Sequence, residues 1–564
     1  MKEQYKHLRI NQTGTLFSHI CEHKNYLEII VIPLDSAKFA KKEYRKRYYE
    51  IKSSFIIKYF FASDTIFFFY LKNDIYYLDT LLITNNGIKT KKAFRTSMRN
   101  CNLFLCGNLC MLSTFSISSS KTESTLYICD TQNFTFRKFA YIPGIVERIG
   151  CSKKTIYVNL KDANGLREIH CIDRKSKHSS VIENGSKISY ELLDVNEKHM
   201  LIKAIVFSKE ICFLKSIESN TFFVNITSLM PNHIQYIKLC GDFLCVISDN
   251  GCNDELNTIN INDRHVQSIQ NCGSIPCQAS YHNNCLVYFQ QTYKSFKCCK
   301  YTFLSFENSI MFEKQYTINA HMCAEHVALD KRTLEILHYY CIGYKKGVVL
   351  YLHGGPSSRC KNEYNRLFDF LSMAGFDIIC LNYRGSTGYG KEFEIQIDGN
   401  WGVAELDDVI EIAKFFSCDN NILLGESYGA FLCLHAIRKE PTLWKKCCMF
   451  APFISPLSMY NNPDNLYKSF FARQIKSVDK QYTDDSMIYD FKKSSCLLLL
   501  IHGIFDNIVP ISESKHIIDL LQKASKIENK DYWFIEGDFG HEIQYNSEYS
   551  LFENHLRDFL NSSS

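Results

Sequence analysis

The feature that most constrains this chain is a mark that recurs with nearly even spacing over its first 318 residues. An apolar residue at a strand end is followed by an acidic or amide residue suited to opening a turn. The pair occurs at Leu34-Asp35, Leu78-Asp79, Cys129-Asp130, Ile172-Asp173, Ile217-Glu218, Ile261-Asn262 and Phe306-Glu307. Successive marks lie 44, 51, 43, 45, 44 and 45 residues apart. Four short strands and their turns fill about 40–50 residues, the length of one propeller blade. Asp or Asn bonds its own backbone two residues on and so supports a hairpin between blade strands. The segments between marks are rich in Phe, Tyr, Ile and Val, as in Thr65 to Leu71 and Thr155 to Leu160, with no long helical period. The marks predict a β-propeller of seven blades. The first mark leaves little room for a full first blade, so an unusual ring closure is expected.

After about residue 345 the texture changes. Strand-like runs alternate with helix-like runs: 347–352, then 363–374, 377–381 and 403–416. Such alternation predicts a mostly parallel sheet with helices on its faces, an α/β-hydrolase type of domain. Val327 to Tyr340 reads as a strand or hairpin leading into it. No Pro/Gly-rich linker intervenes, so the division is expected at 1–318 and 319–564 with the two parts in close contact.

Composition excludes several classes. Net charge is +5 on 65 basic and 60 acidic residues, too mild for a nucleic-acid partner. The basic runs at 41–47 and 89–92 carry no nucleic-acid motif around them and read as solvated strand edges. The start, Met1 to Lys6, is polar, and the longest apolar runs are too short to span a bilayer. The reading is a cytoplasmic protein without a membrane partner, its 25 cysteines reduced. Cys298-Cys299 and Cys447-Cys448 lack metal spacing and read as small core hydrophobes.

Gly425-Glu426-Ser427-Tyr428-Gly429 fits G-x-S-x-G, with a short apolar strand before it and a helix-like run after it. That is the strand–turn–helix setting of a nucleophile elbow. An acid and then a histidine should follow in chain order. Leu497 to Ile501 reads as a buried strand leading to Asp506, and Tyr532 to Ile535 as another leading to His541. Ser427, Asp506 and His541 are therefore the expected triad: nucleophile, orienting acid and general base. His502 and His435 are weaker alternatives, one packed before a turn glycine, the other on the helix after the elbow. The oxyanion donors are expected to be the backbone N–H of Tyr428 and, in the loop His353-Gly354-Gly355-Pro356, that of Gly355.

These residues resemble the prolyl oligopeptidase family, especially its acylaminoacyl-peptidase and dipeptidyl-peptidase branches. The resemblance rests on His353 to Pro356, Asn382-Tyr383-Arg384-Gly385-Ser386-Thr387-Gly388-Tyr389-Gly390, Gly425 to Gly429, His502-Gly503 with Asp506 and Val509-Pro510, and Gly540-His541. It implies a propeller capping the hydrolase, a site between them that admits short peptides, and no cofactor or metal. The asparagine-tyrosine-arginine-glycine run is expected to be structural. Two departures stand out: Ile508 occupies a position where many peptidases of the family carry a substrate-contacting arginine, and Ala430 replaces a frequent glycine. A paired-glutamate motif of the dipeptidyl-peptidase kind is not found. The expected activity is hydrolysis of short or N-acylated peptides through an acyl-enzyme. The alternatives are an esterase or peptide-tailoring acyl transferase using the same triad, and a binding scaffold with an inert hydrolase. A homo-oligomer is compatible with the sequence.

Overall fold

The computed structural model describes residues 6–562 except 12–14, 23–25, 35–42, 50–55, 63–64, 73–74, 85–86, 97–100, 107–108, 118–121, 131–134, 163–165, 184–187, 207–208, 231–232, 270–272, 276–278, 283, 304, 317–319, 342, 419, 466–467, 473, 475–482, 525–531 and 542–548. The first mark's Asp35 and the expected boundary at 318/319 fall outside the described residues.

The N-terminal part is a β-propeller. Its four-stranded antiparallel sheets, each made of consecutive strands, occupy 6–49, 56–96, 101–143, 145–183, 189–225, 234–269 and 280–315. A strand alternates its side chains between two faces, and here both faces are covered by neighbouring sheets. Within Thr65–Lys72, Ile66, Phe68 and Tyr70 pack on the first sheet, while Phe67 and Phe69 pack on the third. A fully buried Phe or Leu contributes about 1.5–3 kcal/mol, so this two-sided packing repeats a sizeable stabilisation at every seam. The last sheet meets the first: Val287, Phe289, Phe296 and Cys298 cluster with Ile10, Ile32 and Leu34. The expected shortage of room in the first sheet does not arise, because Leu34 lies past its third strand, Tyr26–Pro33, and a fourth follows at Tyr44–Tyr49. The later marks also sit around third strands. At Asp173 the turn chemistry is as expected, Oδ1 accepting from Lys175 N and Ser176 N at 3.0 and 2.8 Å. Leu78-Asp79 instead falls inside a strand, Ile75–Thr84. The basic run at 45–47 pairs within its sheet, Arg45 and Arg47 both gripping buried Glu28 at 2.8 and 2.9 Å.

The C-terminal part is built on one eight-stranded sheet. Its strands are β1 (His321–Leu329), β2 (Arg332–Tyr340), β3 (Gly347–Leu352), β4 (Phe376–Leu381), β5 (Asn421–Glu426), β6 (Lys446–Phe450), β7 (Leu497–Gly503) and β8 (Tyr532–Gly537), in the order β1-β2-β4-β3-β5-β6-β7-β8. β1 and β2 form an antiparallel hairpin, the second of the two forms read for 327–340, and it starts earlier, at His321; β2 pairs antiparallel with β4, and the rest run parallel. The central strands are buried on both faces, which is why they read as unbroken apolar runs. One face is covered by helices Ala404–Phe415, Tyr428–Lys439, Asp484–Lys493 and Ser512–Lys523, the other by Arg366–Met373 and Tyr549–Asn561. The adjacent cysteines serve opposite faces: Cys447 and Cys448 enter the two cores on either side of β6, and Cys298 and Cys299 enter two different seams of the propeller. Cys299, Cys447 and Cys448 are free thiols. At the N-terminal end of β6, Lys446 is buried and donates to the carbonyls of Phe559, Leu560 and Ser562 at 2.8, 2.8 and 2.7 Å. Among the described residues, no helix is long and apolar enough to cross a membrane.

Candidate active site

In a parallel sheet the loops after the strands gather at one rim. The register levels Glu426 of β5 with Phe450 of β6, Phe450 with Ile501 of β7, and Ile501 with Ile535 of β8. Ser427, Asp506 and His541 all follow these strand ends and stand at the same rim.

Ser427 connects β5 directly to helix Tyr428–Lys439, with φ 51° and ψ −113°, a conformation that side-chain-bearing residues avoid. Two anchors hold it: its N–H donates to Phe450 O at 2.8 Å, and its carbonyl accepts the first helical bond from Phe431 N at 3.0 Å. The flanking glycines are required by contact. A Cβ on Gly425 would lie 2.4 Å from Gly429 O, and one on Gly429 would lie 2.0 Å from Leu352 O. The elbow therefore wedges against the end of β3.

Asp506 is buried and fully engaged. Oδ1 accepts from the backbone N–H groups of Ile508 and Val509 at 2.8 and 2.9 Å. Oδ2 accepts from His541 Nδ1 at 2.7 Å. Burial pushes the carboxyl upward, but the hydrogen bonds of His502 and His541 outweigh it and hold Asp506 well below the usual carboxylate range. With Nδ1–H committed to this carboxylate, Nε2 is the basic nitrogen of His541. His541 keeps 18% side-chain exposure, against 0% for Asp506. The histidine thus reaches the surface while its partner is sealed. No hydrogen bond joins Ser427 Oγ to His541 among the described residues.

The two alternative histidines are structural. His502 is fully buried, its Nε2–H directed at Val509 O (2.9 Å) and its Nδ1 accepting from Ser514 Oγ (2.7 Å). It supports the turn that carries Asp506. His435 bonds Ile454 O at 2.9 Å, and burial pushes it down to about 3.

The loop after β3 passes over the nucleophile: a Cβ on Gly354 would lie 3.5 Å from Ser427 Cβ. His353 orients this loop. Its Nδ1 lies 2.7 Å from Gly354 O, its Nε2 lies 2.9 Å from Ser386 Oγ, and its ring stacks on Tyr383 with centroids 4.2 Å apart. Burial first, and then the positive Arg359, push its pKa down to about 4. The ring is therefore neutral, with Nδ1–H donating to Gly354 O. A trans peptide points its C=O and N–H in opposite directions, so fixing Gly354 O also aims the N–H of Gly355. Tyr428 N–H is the first amide of its helix and has no intrahelical acceptor. Its side chain is buried, the hydroxyl bonded to Glu405.

The asparagine-tyrosine-arginine-glycine run has the structural role read for it. Asn382 Oδ1 accepts from Cys360 N at 2.7 Å, Tyr383 O–H donates to His353 O at 2.7 Å, and Arg384 pairs with buried Asp408 at 2.8 Å. The orienting role of His353 and Ser386, and that of Arg359, have no counterpart in the sequence motifs. The proximity of His353 to the glycine pair was the one available signal. Ile508 is exposed beside Asp506, as are Ile504 and Phe505.

Comparison with known proteins agrees with the motif resemblance. Residues 362–563 match the model of the prolyl oligopeptidase family. The human acylamino-acid-releasing enzyme is 30% identical over 123 residues, which are 21% of this chain and 17% of that protein. A probable dipeptidyl-aminopeptidase B of Neosartorya fischeri is 24% identical over 252 residues, 42% of this chain and 27% of that one. The chain thus spans well under a third of the length of these relatives. Among solved structures, the acylaminoacyl peptidase of Pyrococcus horikoshii shares the fold over 99% of this chain and 96% of its own, with TM-score 0.77 and 13% identity. An acylaminoacyl peptidase in complex with Z-Gly-Gly-Phe-chloromethyl ketone superposes equally well, with TM-score 0.77 at 13% identity over 99% and 97% of the two chains.

Proposed function

We propose that this chain, with a prolyl oligopeptidase family match over residues 362–563, is a serine peptidase that hydrolyses short or N-acylated peptides through an acyl-enzyme on Ser427. The observation that carries the reading is the 2.7 Å bond from His541 Nδ1 to buried Asp506, level with a strained serine on the neighbouring strand ends. His541 Nε2 takes the Ser427 proton as Oγ adds to the substrate carbonyl. The backbone N–H groups of Gly355 and Tyr428 receive the oxyanion, each worth about 3 kcal/mol in the transition state. The imidazolium, stabilised by Asp506, then returns its proton to the leaving amine, and water repeats the sequence to release the acid.

The domains divide at 1–318 and 319–564. The sheets of the first close as a seven-bladed ring, supported by the packing of Ile10, Ile32 and Leu34 on the last sheet. The ring caps the rim and limits entry to short peptides.

A fluorophosphonate probe tests this directly. The wild-type chain is expected to be labelled and Ser427→Ala not; a folded wild-type chain that resists labelling overturns the proposal. Ile508 favours one second reading, an esterase or acyl transferase, because an apolar side chain there offers no grip on a peptide carbonyl. Turnover of p-nitrophenyl esters without turnover of acyl-amino-acid anilides would decide for it.

A further inference from the structure

Among the described residues, the propeller meets the loops around Ser427 at a buried charged cluster. The hairpin between strands Phe243–Asn250 and Asn253–Asn260 inserts between two hydrolase loops. Its backbone pairs with both: Gly251 N donates to Gly388 O at 2.9 Å, and Asn362 N donates to Cys252 O at 2.8 Å. The approach at Gly388 leaves no space for a side chain, since a Cβ there would lie 2.9 Å from Gly251 O. At the centre is Arg359, with 2% side-chain exposure. Its guanidinium pairs with Asp249 Oδ1 at 2.6 Å and with Asp254 Oδ1, and it donates to Asn253 O at 3.0 Å, all in the propeller. It also donates to Thr387 Oγ1 at 3.1 Å, in the second hydrolase loop. Lys361 Nζ, 3.3 Å from Asp254, balances the second carboxylate. His233 Nδ1 approaches Asp249 at 3.4 Å from the solvent side.

Burying such a group costs several kcal/mol per ion unless its partners are complete. A planar guanidinium presents its donors in a rigid fork and so fixes two carboxylates in one geometry, where a flexible ammonium acts as a point charge. The cluster's position in the chain gives it a role beyond docking. Arg359 lies four residues after Gly355, and Thr387 follows Ser386, whose hydroxyl holds His353 Nε2. Both ends of the cluster thus run directly into the wall that aims the Gly355 N–H.

We infer that Arg359 is a positioning residue through which the propeller hairpin 249–254 holds the oxyanion loop in its productive geometry. The inference rests on the proposed acyl-enzyme chemistry for its catalytic consequence, and its structural part is independent of it. Releasing the cluster lets the loop 353–359 drift, and a displacement near 1 Å at a reacting centre costs about 10²-fold in rate.

The test compares the wild-type chain with Arg359→Lys and with the charge-neutral Arg359→Met/Asp249→Asn, which removes one charge of each sign and leaves Asp254 paired with Lys361 if the single variant fails to fold. Hydrogen exchange read by mass spectrometry is expected to quicken in peptides covering 353–359 and 386–389. For an acyl-amino-acid anilide, kcat is expected to fall about 10²-fold in the neutral variant and less in Arg359→Lys, with KM little changed. Unchanged exchange in a folded neutral variant overturns the inference. So does faster exchange with kcat at the wild-type value. Faster exchange in a chain whose wild type takes no fluorophosphonate keeps the structural link and removes the proposed activity.

Discussion

Acidification should weaken the hydrolase domain through His353 in particular. In the folded chain this ring is buried and neutral, its pKa pushed down to about 4. In the unfolded chain it titrates near 6.5. Between these values the unfolded state binds a proton that the native state refuses, so stability present above about pH 6.5 is lost progressively as pH falls towards 4. At about pH 4.5 the loss from this one group is about 2–3 kcal/mol. The structural reason is specific. A second proton would turn Nε2 from an acceptor for Ser386 into a donor facing the hydroxyl oxygen, and would place a charge near Arg359 in a site without solvent. The chain supplies its own reporter, because all three tryptophans, Trp401, Trp444 and Trp533, belong to the two cores of the eight-stranded sheet. Urea unfolding followed by tryptophan fluorescence at about pH 7.5 and 4.5 therefore reads this domain alone. His353→Phe keeps the stacking on Tyr383 and removes the titration. The variant should be less stable at the higher pH, for want of a partner for Gly354 O and Ser386, yet lose about 2–3 kcal/mol less than wild type on acidification. Carboxylates common to both proteins cancel in the comparison. Equal acid losses in the two proteins would refute the assignment of a neutral, structurally committed His353.

Asp506→Asn should keep its backbone contacts to Ile508 and Val509 yet lower anilide turnover about 10⁴-fold, because the amide favours the wrong tautomer of His541; a loss under tenfold would contradict the triad. Ser427→Gly should abolish turnover while raising the tryptophan-detected stability by about 1–2 kcal/mol, since the serine sits at φ 51°; a lower stability would show that the elbow is unstrained. Gly429→Ala should prevent the hydrolase domain from folding, its Cβ falling 2.0 Å from Leu352 O; a soluble variant with native fluorescence would disprove the wedge between elbow and β3.

Local patterns carried the readable part of this molecule. The elbow was legible because a strand, a glycine-flanked serine and a helix follow one another without interruption, and each of Asp506 and His541 ends a recognisable apolar run. The repeat was legible because turn chemistry such as that of Asp173 is local. It gave the period better than the position of each turn, as Asp79 shows by lying inside a strand. What escaped was contact between distant segments. Arg359 and Asp254 are separated by 105 residues, and neither stands in a periodic pattern that would single it out. The packing of Ile10 against the last sheet's cluster of Val287, Phe289, Phe296 and Cys298 leaves no trace either, because each residue looks like any other strand hydrophobe. His353 is the intermediate case: its place beside two glycines is visible in the sequence, but its function depends on Ser386 and Tyr383, which only the fold brings to it.

Lys446 gives the end of the chain an unexpected weight. Its ammonium is buried at the end of the sheet and held by the carbonyl oxygens of 559, 560 and 562, with the Ser562 hydroxyl 3.4 Å away. Clipping the last helical turn would strand a cation beneath β6, the same strand whose other end presents Phe450 O to Ser427. A few residues far from the catalytic rim therefore act as a counterweight for it, and trimming at the C-terminus would disturb the serine through a single strand.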